Sequence, residues 1–142
     1  MMNNTALIPN ISVGLFKLGD NINNYNSYKS DYNKKSHNDE YMEDYYEFVD
    51  PPLIVFVNGN NEITTINCNV ECLWEGINLI GFLFDAFLKL ASIKPNNHEL
   101  IYVLKNADKG QNQHVYTFEN FGIQVWTWRN KIVTVSCTSY NV

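Results

Sequence analysis

Three cysteines, three histidines and fifteen carboxylates are the side chains in this sequence best suited to chemistry. Nucleophilic catalysis needs a Cys or Ser beside a positioned His. His37 sits in a polar run, His98 follows two Asn and His114 precedes an apolar stretch, so sequence shows no such pairing. Zinc would need a fourth ligand and ordinarily CxxC spacing, and Cys68, Cys72 and Cys137 offer neither. The thiols read instead as small buried groups in a reducing compartment. Paired carboxylates do acid–base work when their surroundings separate their pKa values. Here Asp39, Glu43 and Asp44, the best hydrolase candidates, crowd a Tyr-rich stretch with no apolar pocket in view. No phosphate-cradling glycine loop, HExxH pair or EF-hand spacing occurs. The residues therefore point away from an enzyme, with no catalytic, metal or cofactor site expected. Direct nucleic-acid binding is also not expected, because Trp126, Trp128 and Arg129 are a lone aromatic–basic cluster in an acidic chain.

Charge is unevenly spread. From Ser36 to Leu88 there are ten acidic residues and no Lys or Arg, whereas the flanking segments are net basic. Such a surface repels nucleic acid and steers towards cationic partners. No apolar run is long enough for a membrane helix. The start MMNNTALIPNISVG lacks a basic region followed by a long apolar stretch, so a cytoplasmic location is expected. The length of 142 residues suits one domain, residues 1–142, with 1–10 frayed.

The elements that must position these groups show a faint internal repeat. Tyr46, Phe48, Leu53, Val55, Ile63, Ile66 and Cys68 are echoed by Tyr116, Phe118, Ile123, Val125, Ile132, Val135 and Cys137. The offset closes from 70 to 69 where Asn58–Glu62 faces the shorter Trp128–Lys131. Leu53–Val57, an Asn58-Gly59 turn and Glu62–Cys68 read as a hairpin, as do Gly122–Trp128 and Lys131–Cys137. Ile11–Leu18 reads as a strand, followed by a weak helix opened by Asp20, with Ile22, Tyr25, Tyr28 and Tyr32 on one face. Val70–Trp74 and Glu99–Leu104 are further strands, the latter buried, and Asn106–Gln113 is a polar loop. A helix over Phe82–Ala91 presents Phe82, Ala86, Phe87 and Leu90. The expected fold is α+β, a predominantly antiparallel sheet built from two related hairpins with one or two helices packed on it. Val55, Ile66, Phe87, Val103, Val125, Val133 and Val135 are the expected core. Gln124, Trp126 and Trp128 share the opposite strand face, either core rim or a docking platform.

Four phrases resemble a known family: ISVGLFKLGDNI (Ile11–Ile22), ECLWEGINLIGFLFDAFLKL (Glu71–Leu90), ELIYVL (Glu99–Leu104) and VYTFENFGIQVWTWRNKIVTVSC (Val115–Cys137). They resemble bacterial immunity proteins of contact-dependent growth inhibition systems, in the group paired with DNase toxins. The resemblance implies a non-enzymatic inhibitor that binds its cognate toxin domain and blocks its active site, with a toxin β-hairpin able to add to its sheet. A basic, DNA-binding toxin suits the acidic segment. The candidate toxin-binding residues are Asp39, Glu40, Glu43, Asp44, Glu47, Glu71, Trp74, Glu75, Trp126 and Trp128. The alternative is a small-ligand or regulatory domain with a pocket between helix 82–91 and the sheet.

Overall fold

Extended segments whose alternate side chains turn inward build most of this protein. In the computed structural model, which describes residues 5–33, 43–106 and 109–138, Leu53, Val55 and Val57 turn inward while Ile54 and Phe56 turn outward. Thirteen strands and one α-helix form among the described residues. The first three, β1 (Leu7–Ile8), β2 (Ser12–Val13) and β3 (Phe16–Lys17), make a small meander. The strands β4 (Ser30–Asn33), β5 (Asp44–Phe48), β6 (Leu53–Val57) and β7 (Ile63–Cys68) follow. A short ribbon of β8 (Leu73–Trp74) and β9 (Ile77–Asn78) leads to α1 (Phe84–Ala91). The chain then runs through β10 (Asn97–Asn106), β11 (Lys109–Phe118), β12 (Ile123–Trp128) and β13 (Lys131–Thr138).

Eight strands form one antiparallel sheet in the order β10-β11-β12-β13-β7-β6-β5-β4. This is an α+β architecture, mostly sheet with one helix against it. Its centre is the pairing of β13 with β7, which sets Val135 opposite Cys68, Ser136 opposite Asn67 and Cys137 opposite Ile66. To one side Ile66 faces Val55 and Val55 faces Tyr46. To the other Val135 faces Val125 and Val125 faces Tyr116. Register shifts fall between Phe56 and Val57 and between Trp126 and Thr127.

The inner face is covered in two parts. Over β5, Phe16 from the meander meets Phe48 edge-on at 4.7 Å and stacks on Tyr25 at 4.4 Å. Over β11, Phe84 of α1 stacks on Tyr116 at 4.0 Å, and Phe87 meets Phe118 edge-on at 6.0 Å. These rings pack in the space between helix and sheet. Val55, Ile66, Phe87, Val125 and Val135 are fully buried, as expected. Val103 and Val133 are only half-buried. On β13 the alternation slips at the register shift, so Ile132 rather than Val133 takes the inward place.

Several local expectations are corrected by tertiary context. Ile11–Leu18 is not one strand, because Gly14 at φ +58° turns the chain between β2 and β3. Leu7 and Thr5, expected to fray, are buried. The helix after Asp20 shrinks to a single 3-10 turn, Ile22–Tyr25, capped by Asn21, whose Oδ1 accepts from the Asn23 N–H at 2.9 Å. Asp20 instead accepts from the Tyr25 hydroxyl at 2.8 Å. In the β6–β7 turn the positive φ belongs to Asn61 (+63°), not to Asn58 or Gly59. Asn58 Oδ1 holds that turn by accepting from the Asn60 and Glu62 N–H groups. The helix begins at Phe84 because the Phe82 carbonyl and Gly81 N–H are engaged by the Ile132 backbone at 2.9 and 2.7 Å. It therefore buries Phe84 and Phe87, and Leu90 is left exposed. Residues 109–113, expected in a loop, are strand, since β10 supplies their backbone partners. Glu99–Leu104 is strand but lies at the sheet's edge rather than inside it.

Two outcomes follow from this packing. Phe87→Ala should destabilise the protein by roughly 3–5 kcal/mol in chemical denaturation; a change below about 1 kcal/mol would contradict the contacts described. Two of the thiols, Cys68 and Cys137, are held neutral. Burial, aided by nearby Cys72, pushes Cys137 from 9.0 up to about 12. Cys68 is also pushed up, first by its hydrogen bond with Cys72 and then by burial. A folded-state pKa raised this way gives stability intact below pH 9 and lost as pH rises towards about 12. Cys137→Ala should lower stability at neutral pH yet remove up to about 1.4 kcal/mol per pH unit of that alkaline slope.

Candidate functional site on the outer face of the sheet

Because Val55, Ile66 and Val125 point into the core, their neighbours Phe56, Thr65, Asn67, Gln124 and Trp126 point out on the opposite face. With Glu43 and Ser136 they line a hollow of about 360 Å³. The hollow straddles the β7–β13 seam, since Asn67 and Ser136 are partners there and Gln124 is the next partner of Ser136. Thr64 Oγ1 donates to Glu43 Oε1 at 2.6 Å, fixing the carboxylate. Thr65 Oγ1 donates to Thr138 Oγ1 at 3.1 Å and Gln124 Nε2 to Thr117 Oγ1 at 3.4 Å.

Two polar atoms in this hollow stand out. Asn67 Oδ1 and Trp126 Nε1 are buried and have no hydrogen-bond partner among the described residues. Leaving such a group unsatisfied costs about 1–3 kcal/mol, and each one in a native fold calls for a reason. Here one acceptor, one donor, a fixed carboxylate and two aromatic rings converge. Glu43 and the aromatic faces suit a basic side chain such as a guanidinium, whereas Asn67 Oδ1 and Trp126 Nε1 lie below the surface and would meet a partner only if neighbouring side chains shift.

The sequence candidates fall in separate places. Asp39 and Glu40 lie outside the described residues. Glu43 and Trp126 meet in the hollow. Asp44 accepts from the Tyr32 hydroxyl at 2.7 Å, a bond that, ahead of burial, raises the Tyr32 pKa. Glu47 is exposed on β5 opposite Asp31. Glu71 accepts a hydrogen bond from Thr5, and Glu75, exposed, makes the β8–β9 turn at φ +49°. Trp74 packs against Phe87 at 5.9 Å and Phe121 at 6.2 Å, on the helix side. Trp128 carries Arg129 over its ring at 4.3 Å and borders a larger cleft of about 640 Å³, together with Lys105 and Lys131.

Asn67, Thr65 and Ser136 are not among those candidates, and the signal for them is that Asn67 and Ser136 are repeat-equivalent positions; Gln124 is expected only as a neighbour of Trp126 and Trp128 on their shared strand face. Sequence also hid a histidine pair. His98 Nε2 and His114 Nδ1 lie 2.7 Å apart, and His98 stacks on Tyr116 at 4.4 Å. No cluster of three or more His, Cys, Asp or Glu able to hold a metal occurs among the described residues. None of the helices among the described residues is long and apolar enough to cross a membrane.

No known protein family, curated protein or solved structure matches the chain. The site is thus read from its own geometry. If the two unsatisfied atoms serve a partner, removing one should not harm the fold. Asn67→Val should leave the denaturation midpoint unchanged or raise it, unlike truncations in the core. A loss of 2 kcal/mol or more would mean that Asn67 is structural.

Proposed function

We propose that this is a non-enzymatic immunity protein that binds a cognate cationic toxin domain, a nuclease, in the cytoplasm and neutralises it by blocking its active site. The observation that carries the reading is the division of charge across one sheet. Strands β4 to β7 hold Asp31, Asp44 and Glu47 and no Lys or Arg. Strands β10 to β13 hold Lys105, Lys109 and Lys131 against the single acid Glu99. A basic partner is steered to the acidic half, and the steering raises association rate and specificity more than affinity. The hollow beside that half then takes a basic side chain at Glu43. The resemblance of four segments to DNase-paired immunity proteins supplies the class of partner.

We further infer that the units β5–β7 and β11–β13 are related copies. Equivalent residues hold equivalent registers: Tyr46–Val55–Ile66 matches Tyr116–Val125–Val135, and both units shift register after the same position. A second function, binding of a small anionic ligand, is favoured by the 640 Å³ cleft with Lys105, Arg129 and Lys131, to which no residue of α1 contributes.

If a toxin domain is encoded beside this chain, co-expression with it should protect cells, and the two proteins should co-purify. Reversing Glu43, Asp44 and Glu47 to Lys should slow association on the order of tenfold and flatten its salt dependence. Absence of both protection and complex would refute the reading. Unchanged kinetics after the reversal would reduce the acidic half to a solubilising surface.

A further inference from the structure

The opposite end of the sheet presents a different surface. β10 is the terminal strand and pairs only with β11 among the described residues. At ten residues it is long for an edge. Between Glu99 and Lys105 it carries five consecutive apolar residues, Leu100 to Leu104. Leu100, Tyr102 and Leu104 share one face and are 60%, 59% and 69% exposed. Natural edges are blunted by prolines, inward charges or mid-strand bulges. This one has no Pro and no charge within the apolar run, and its register shift falls after Leu104. Gly110 on β11 helps to seat the strand, because a Cβ there would stand 2.5 Å from the Tyr102 ring.

The order of residues names the occupant. Around Tyr102 the strand is a near-palindrome: Ile101 mirrors Val103, Leu100 mirrors Leu104, and Glu99 mirrors Lys105 with opposite charge. A two-fold interface requires that when residue i faces j, j also faces i. Placing Tyr102 on the axis of an antiparallel pair makes every apolar residue face an apolar residue. Glu99 then faces Lys105 of the other copy, and this happens twice. A slip of two residues either way sets Lys105 against Ile101 or Glu99 against Val103, so charge and hydrophobicity select one register.

We propose that β10 is a self-association edge, through which two copies of this chain pair antiparallel about Tyr102 and join their eight-stranded sheets into one. The interface leaves β4, β5 and the outer-face hollow of each copy free, so it does not depend on the toxin reading.

Sedimentation should show a dimer for the unaltered chain. Glu99→Lys and Lys105→Glu should each weaken it roughly tenfold, since each turns two attractive pairs into two repulsive ones. The double change Glu99→Lys/Lys105→Glu should restore it. Under mild oxidation Tyr102→Cys should give a disulfide-linked dimer, because a residue on the axis faces itself at bridging distance. Leu104→Cys alone should not, whereas Leu100→Cys/Leu104→Cys should. The buried Cys68, Cys72 and Cys137 do not compete. Circular dichroism confirms that each variant is folded, and the Leu100/Leu104 pair decides if the Tyr102 variant is not. A monomer throughout the micromolar range would overturn the proposal, as would a dimer indifferent to charge reversal. Protection of β10 from exchange only when the toxin domain is added would overturn it in favour of a partner strand.

Discussion

Everything in this fold depends on the pairing of β13 with β7. The two strands are about seventy residues apart in sequence, so their meeting costs substantial chain entropy that only a buried, hydrogen-bonded seam offsets. The seam supplies that by burying Ile66, Cys68, Val135 and Cys137 completely. Thr138 adds a side-chain bond to the Thr64 carbonyl at 3.1 Å. Without it the protein would be two smaller sheets, each with an uncovered strand, and neither the continuous core nor the outer hollow would exist. Asn67 and Ser136, at the middle of the seam, are polar because their side chains face away from that core.

The parts of the fold legible in the sequence are those marked by local residue type and turn signals. Leu53–Val57 and Ile123–Trp128, short runs rich in β-branched and aromatic residues, are strands with Val55 and Val125 inward as expected. Elements set by tertiary partners were not legible. Nothing local to Phe82 reveals that its carbonyl is claimed by Ile132, and that contact is what delays the helix and turns Leu90 outward. An all-apolar strand such as Leu100–Leu104 has no period to show which face, or which end of a sheet, it occupies. The candidate site was half legible. Glu43 and Trp126 stood out by residue type, whereas Asn67 Oδ1 is significant only because the register buries it without a partner.

The two faces of the sheet are built differently. The inner face is packed with stacked rings and aliphatic side chains and leaves little for selection to vary. The strands at one end of the sheet carry acids and those at the other carry lysines, and this difference does not disturb the core. Side chains that face solvent are free to follow a partner while the registers beneath them stay fixed. The two unsatisfied atoms mark the place where this separation is incomplete, since they sit against the seam itself.

The position of β13 has a consequence for how the chain acquires its structure during synthesis. It is the last of the described strands to emerge from the ribosome, yet it lies between β7 and β12 near the middle of the sheet. Until it emerges, the acidic half ends in an open strand and the β10–β12 unit has no neighbour to join. The sheet therefore cannot close vectorially from one end to the other, and the chain through Thr138 must be present before its two halves join. Topologies of this kind fold slowly and expose strand edges while they wait. A nascent chain stalled before Lys131 would be two half-sheets in search of their shared central strand.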